Sequence, residues 1–97
     1  MIEVSKGSST IIVTGHADYD EHGKDIVCAA VSALVQTLVE SVVQLTDDKI
    51  EYNMQPGAVG IKFWCLSAQS RVLVDAFFIG IEMIANTHPN HVKLTKH

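Results

Sequence analysis

Residues 10 to 45 read TIIVTGHADYDEHGKDIVCAAVSALVQTLVESVVQL, and the apolar spacing changes twice along that stretch. Thr10 to His16 alternates, with Ile11 and Val13 on one face and Ile12 and Thr14 on the other, as a strand covered on one side does. Residues 17 to 24, ADYDEHGK, have no apolar period and hold four ionised side chains, so they form a loop, expected to be mobile. From Asp25 to about Leu45 the apolar residues recur every three and four positions, the spacing of a helix. Asp25 suits the N-cap, because its carboxylate can accept an orphan amide of the first turn. Cys28, Ser32, Gln36, Glu40 and Gln44 then form one polar row, while Val27, Ala30, Val31, Leu34, Val35, Leu38, Val39 and Val42 lie on a wide apolar surface. That surface needs a sheet on one flank and leaves room for a second subunit on another. The polar row argues against reading residues 26 to 45 as a membrane span.

Working outward, Ile2 to Ser5 is a short strand, and Lys6-Gly7-Ser8-Ser9 turns it into the next. Beyond Thr46-Asp47-Asp48, Lys49 to Met54 reads as a strand and Gln55-Pro56-Gly57-Ala58 as a type II turn. Val59 to Leu66 is the returning strand. There Val59, Ile61, Phe63 and Cys65 share one face, which predicts a core position for Cys65, with Lys62 and Trp64 opposite. Ser67 caps a second helix to about Asn86, with Leu73, Phe77, Gly80, Ile81 and Ile84 toward the core. Pro89 forbids its continuation, and His91 to Thr95 form an optional last edge strand. The expected fold is α+β: two ββα units whose mainly antiparallel sheet is packed by two helices, in a single domain over residues 1–97.

Composition narrows the function. At 97 residues and 47% hydrophobic, the chain can build one core but buries a modest share of its surface, which points to a homo-oligomer. Seven basic residues, scattered, against eleven acidic ones give a net charge of −4. That speaks against nucleic acid, which needs a basic patch, and suits a basic protein partner. Met1-Ile2-Glu3-Val4 shows no basic stretch leading into an apolar run, so neither a secretory leader nor a membrane anchor is expected. Two cysteines without an export signal suggest reduced thiols in a cytosol.

The chemistry concentrates between residues 15 and 34. Cys28 heads the polar row in the first helical turn, where unpaired amides near Asp25, Ile26 and Val27 favour the thiolate and can receive an oxyanion. A buried structural thiol is the alternative. Gly15 lets backbone approach a ligand closely, and His16, anchored at a strand end, can reach Cys28 as a general base. His22, in the loop, competes for that role but is less well positioned. Asp25 carries two compatible readings, as the helix cap and as an acid that orients His16 or tunes the thiolate. Ser32, one turn past Cys28, either faces substrate or bonds a carbonyl of its own helix. Zinc-compatible ligands are present in His16, His22, Asp25 and Cys28, but not at zinc spacing, so no metal and no cofactor is expected. Asp18, Asp20 and Glu21 form a solvated loop that can attract a basic chain.

The run Gly15-His16-Ala17-Asp18, a short polar loop, then Asp25-Ile26-Val27-Cys28 with Ser32 four residues on resembles the ribosomal-processing cysteine protease family, Prp. The resemblance is close over residues 15 to 34 and looser over the rest. It departs at Ala33-Leu34-Val35-Gln36-Thr37, where the family often has an aromatic-glycine-serine step. The resemblance implies a homodimeric bacterial enzyme of the cytoplasm, without cofactor. It would remove an N-terminal extension from a large-subunit ribosomal protein, cutting after aromatic residues. Cys28 would be nucleophile and His16 base, Asp25, Ser32 and Gly15 supporting residues, and the loop with Asp18, Asp20, Glu21, His22 and Gly23 the element that closes over substrate. The competing reading is a non-catalytic dimeric module that holds a ribosomal or phage protein without cutting it.

Overall fold

Both sequence periods persist in the computed structural model, which describes residues 1–21 and 23–96. Among these residues the order is β1 (Ile2–Lys6), β2 (Thr10–Thr14), α1 (Ile26–Leu45), β3 (Ile50–Gln55), β4 (Ala58–Phe63), α2 (Ala68–Thr87) and β5 (Val92–Lys96). The fold is the expected α+β arrangement. Its sheet runs β3-β4-β2-β1-β5, antiparallel except where β5 lies parallel to β1 with Val92 opposite Ile2. The two ββα units join at the β2–β4 pair, where Ile11 lies opposite Ile61.

Alternation decides the buried face. Ile2, Val4, Ile11, Val13, Ile61 and Phe63 enter one core with both helices, while Ile12 on the open face stays exposed. The apolar side of α1 contributes Val27, Val31, Val35, Leu38, Val39 and Val42. By length and mean hydropathy, 2.0, this helix is apolar enough to cross a membrane, yet that side of it is packed in the core. From α2 come Phe77, Phe78 and Ile81, each worth roughly 1.5–3 kcal/mol when fully buried. The helices approach closely at Gly80, where a Cβ would lie 2.9 Å from Leu34 Cδ1.

Each helix starts on the residue its sequence nominates. Asp25 Oδ1 accepts from the amides of Val27 at 3.0 Å and Cys28 at 2.9 Å. Ser67 Oγ accepts from Ser70 N at 3.3 Å. Asp48 ties the second start to the end of α1. Its Oδ2 accepts from Ser67 N at 2.9 Å, from Ser67 Oγ at 2.6 Å and from the hydroxyl of Ser70, which also reaches Thr46. The hydroxyls of Ser67 and Ser70, then the Ser67 amide, hold the Asp48 carboxyl below the usual carboxylate range against a smaller desolvation effect.

One expectation fails. Cys65 is exposed, not part of the core. The alternation that should have buried it stops at Phe63, where β4 ends, and the chain bends through Trp64 and Cys65 to reach the Ser67 cap. Cys65 is therefore no inert control for Cys28.

Candidate active site

The site begins where β2 stops pairing. Gly15 takes φ +90°, and a Cβ there would lie 2.3 Å from the carbonyl oxygen of Met1, so only glycine can make this turn. Its amide donates to Gly57 O at 2.9 Å, which brings the exit from β2 against the β3–β4 turn. Gly57 itself has φ +74°, as the third residue of a type II turn requires. The imidazole of His16 lies over it, so close that a Cβ on Gly57 would be 2.8 Å from Nε2.

Ala17 is buried, and both its backbone polar groups are committed. Its N–H donates to Cys28 Sγ at 3.2 Å, and its carbonyl accepts from His91 Nδ1 at 2.8 Å. Asp18 follows at φ +55°, a left-handed conformation that Asp tolerates better than most residues. The amides of Tyr19 and Asp20 then donate to Asp25 Oδ2, at 2.9 Å and 3.4 Å. Residues 17 to 20 thus form a strap across the start of α1, tied to Cys28, Asp25 and His91. Desolvation pushes the Asp25 carboxyl up, but the amides of Cys28, Tyr19, Asp20 and Val27 together outweigh it and leave it lowered.

Between α1 and the β3–β4 hairpin lies a groove of about 670 Å³. His16 and Cys28 open into it, with Ser32 on the helix wall and Met54, Pro56 and Gly57 on the hairpin wall. A nucleophile type, a base type and an extended trough beside them are what acyl transfer from a peptide to a thiol needs. Among the described residues, no hydrogen bond joins His16 to Cys28; such contacts often tighten only with substrate bound.

The remaining expected residues fall as follows. Gly15, Asp18, Asp20, Gly23 and Asp25 border the groove. Glu21 pairs with Lys24 at 3.7 Å on the surface. His22, the competing base, lies outside the described residues. Asp25 acts as cap and strap anchor through backbone amides, and none of its hydrogen bonds reaches His16. Of the amides expected to receive the oxyanion, that of Val27 is already taken by Asp25, as is that of Cys28 itself. Ser32 makes no hydrogen bond to its own helix among the described residues, unlike Thr37, which bonds Ala33 O at 2.6 Å. Three features escaped the sequence: the hairpin wall, the Ala17 amide and the His91 contact. Pro56-Gly57 announced a turn, but nothing local told which groove it would face.

The chain matches the family model for the cysteine protease Prp over residues 1–93. It is 30% identical to the ribosomal processing cysteine protease Prp of Mycoplasma genitalium over 98 residues, covering 99% of this chain and 96% of that protein. To its Bacillus subtilis counterpart it is 29% identical, over 93% of this chain and 87% of the relative. Among solved structures, the essential ribosomal processing protease Prp of S. aureus, in complex with a covalently linked product peptide, superposes with a TM-score of 0.96 at 24% identity. The whole of both chains is covered. A Streptococcus mutans protein superposes at 0.80 with 28% identity, over 98% of this chain and 90% of that one. The chain belongs to the Prp family of ribosomal-processing proteases and is a cysteine peptidase.

Proposed function

We propose that this peptidase removes the N-terminal extension of a large-subunit bacterial ribosomal protein, with Cys28 as nucleophile and His16 as general base. One observation carries the assignment: Cys28 Sγ accepts the N–H of Ala17 at 3.2 Å, and the residue before that amide is His16. The donor already on the sulfur and the histidine next to it in sequence put a hydrogen-bond partner and a base type at one thiol. His16 takes the thiol proton, and the sulfur attacks the scissile carbonyl, forming the S–C bond as the π pair moves to oxygen. Asp25 takes the amides of Val27 and Cys28, and the Ala17 N–H, freed as sulfur loses its charge, serves that oxygen. The C–N bond breaks as His16 protonates the leaving amine. Water, deprotonated by His16, then releases the acyl group and restores the thiol.

The substrate lies along the groove. Met54, Pro56 and Val59 offer an apolar wall for an aromatic side chain before the cut, and Ser32 a hydroxyl for the peptide backbone. Gly15 supplies close approach, and the acidic strap with Asp18, Asp20 and Glu21 draws in a basic N-terminal chain. Residues 17 to 24 close over it. The work takes place in the bacterial cytoplasm, by a single domain over residues 1–97 acting as a homodimer. Val72, Ile79 and Met83 form an exposed apolar row on α2 that a second copy can cover.

The test is incubation with an N-terminally extended large-subunit ribosomal protein, followed by mass spectrometry of the new N-terminus. Cys28→Ala should abolish cleavage with the fold intact, and His16→Ala should slow it by about 10²–10⁴. Cleavage by Cys28→Ala at the rate of the unsubstituted protein would remove the assignment.

A further inference from the structure

We infer that His91 is a positioning residue for the reaction, holding the strap so that Ala17 stays on the thiol and His16 stays over the groove. The inference rests on the roles proposed for Cys28 and His16. His91 lies 74 positions from Ala17 in sequence, at the entry to β5, and its Nδ1 reaches the Ala17 carbonyl at 2.8 Å. A carbonyl only accepts, so Nδ1 carries the proton in this contact. The N–H of the same residue is the one on Cys28 Sγ. One residue, with His16 directly before it, is thus gripped on one side by His91 and on the other by the thiol.

The grip has its own support. The Tyr19 ring packs edge-on against both His91 and His88, with centroids 5.3 Å apart in each case and planes near perpendicular. His91 is further fixed through its backbone: its carbonyl accepts from Ile2 N at 2.8 Å and its amide donates to His88 O at 3.0 Å. The β1–β5 edge of the sheet therefore reaches across to the strap and sets where it crosses α1. A donor lost here releases the Ala17 peptide unit, and a catalytic pair depends on placement to within a fraction of an ångström.

Asparagine separates this role from simple packing, because its side-chain N–H₂ can stand where Nδ1–H stands, whereas leucine fills the space without a donor. The experiment compares His91→Asn and His91→Leu in a Cys65→Ala background, so that Cys28 is the sole thiol. Iodoacetamide alkylation is followed against pH, alongside kcat and KM on a peptide spanning the cleavage site. His91→Leu should lower kcat about tenfold with KM changed less than about threefold. It should also slow alkylation near neutral pH about fivefold, the factor for one lost hydrogen bond. His91→Asn should recover both to within about threefold. Equal behaviour of the two variants, whether both match the parent or both lose activity in step with thermal stability, would overturn the role. Alkylation needs no substrate, so it reads the strap even if Cys28→Ala in the same background still cleaves, an outcome that defeats the catalytic assignment instead.

Discussion

The two ββα units are built on one plan, yet among the described residues only the first sets its helix start on the groove. In each, a polar cap precedes the helix and a residue with a nucleophilic side chain occupies its third position: Asp25 and Cys28 in the first unit, Ser67 and Ser70 in the second. The difference is the connection. Residues 15 to 24 separate β2 from Asp25, while residues 64 to 66 separate β4 from Ser67. The short connection pulls the second helix start down onto Asp48, and Ser70 ends fully buried with its hydroxyl spent on that carboxylate and on Thr46. Within the long one, residues 17 to 20 make a strap over the start of α1, and Cys28 is left half-buried at the rim of a groove. A helix N-terminus alone does not make a site; the length of chain that crosses it does.

Exchanging the fates of the two third positions should give the largest effects. Cys28→Ala removes the proposed nucleophile but little packing. Ser70→Ala should do the reverse. It strips a fully buried hydroxyl from a carboxylate, so the melting temperature should fall by roughly 5–10 °C while kcat per folded molecule stays unchanged. Calorimetry beside single-turnover cleavage distinguishes the two. A Ser70→Ala protein that is fully stable, or that loses kcat while folded, breaks the comparison.

The glycines of the β3–β4 hairpin sharpen it at an intermediate scale. Gly57 sits at φ +74° beneath His16, whereas at Gly60, three residues on, an added Cβ would meet nothing within 4 Å. Gly57→Ala should cost about 1–2 kcal/mol in backbone strain and push on the imidazole, lowering kcat about tenfold. Gly60→Ala should leave kcat alone. Equal kinetics for the two would mean that the hairpin turn does not position His16.

How much of this was legible depended on whether the signal was local. The α1 boundaries, the Asp25 cap and the Pro56-Gly57 turn follow from side chains acting within a few residues, and each is where its local chemistry puts it. His16 and Cys28 stood out because the residues between them had no apolar period. Cys65 was misplaced because alternation shows that a strand is present, not where it stops: Phe63 is the last residue β4 can pair, with Ile50 opposite. His91 could not be found at all. Its contact with Ala17 exists because β5 lies parallel on β1, a pairing between the two ends of the chain that no local pattern encodes.

The smallest effects should come from the two carboxylates that receive helix-start amides, since each half has one. Both are held below the ordinary value, Asp25 by four backbone amides that overcome its desolvation and Asp48 chiefly by the Ser67 and Ser70 hydroxyls. A lowered folded value means stability that is complete above the unfolded carboxylate range, near about pH 4, and lost as pH falls through the folded value. The melting temperature should therefore hold from about pH 7 to about 5 and decline below about 4. Asp48→Asn should flatten that acid limb and also lower stability at neutral pH, because a neutral amide oxygen accepts from the two serine hydroxyls more weakly than the charged carboxylate oxygen does. Asp25→Asn should act differently. Asparagine caps a helix as well as aspartate does, so Val27 and Cys28 keep their acceptor, but its N–H₂ then faces the amides of Tyr19 and Asp20. The helix stays and the strap loosens, so stability at neutral pH should change by no more than a few degrees while kcat falls. If Asp25→Asn instead melts as early as Asp48→Asn, the first carboxylate is holding the fold rather than the strap, and the two halves differ less than their connections suggest.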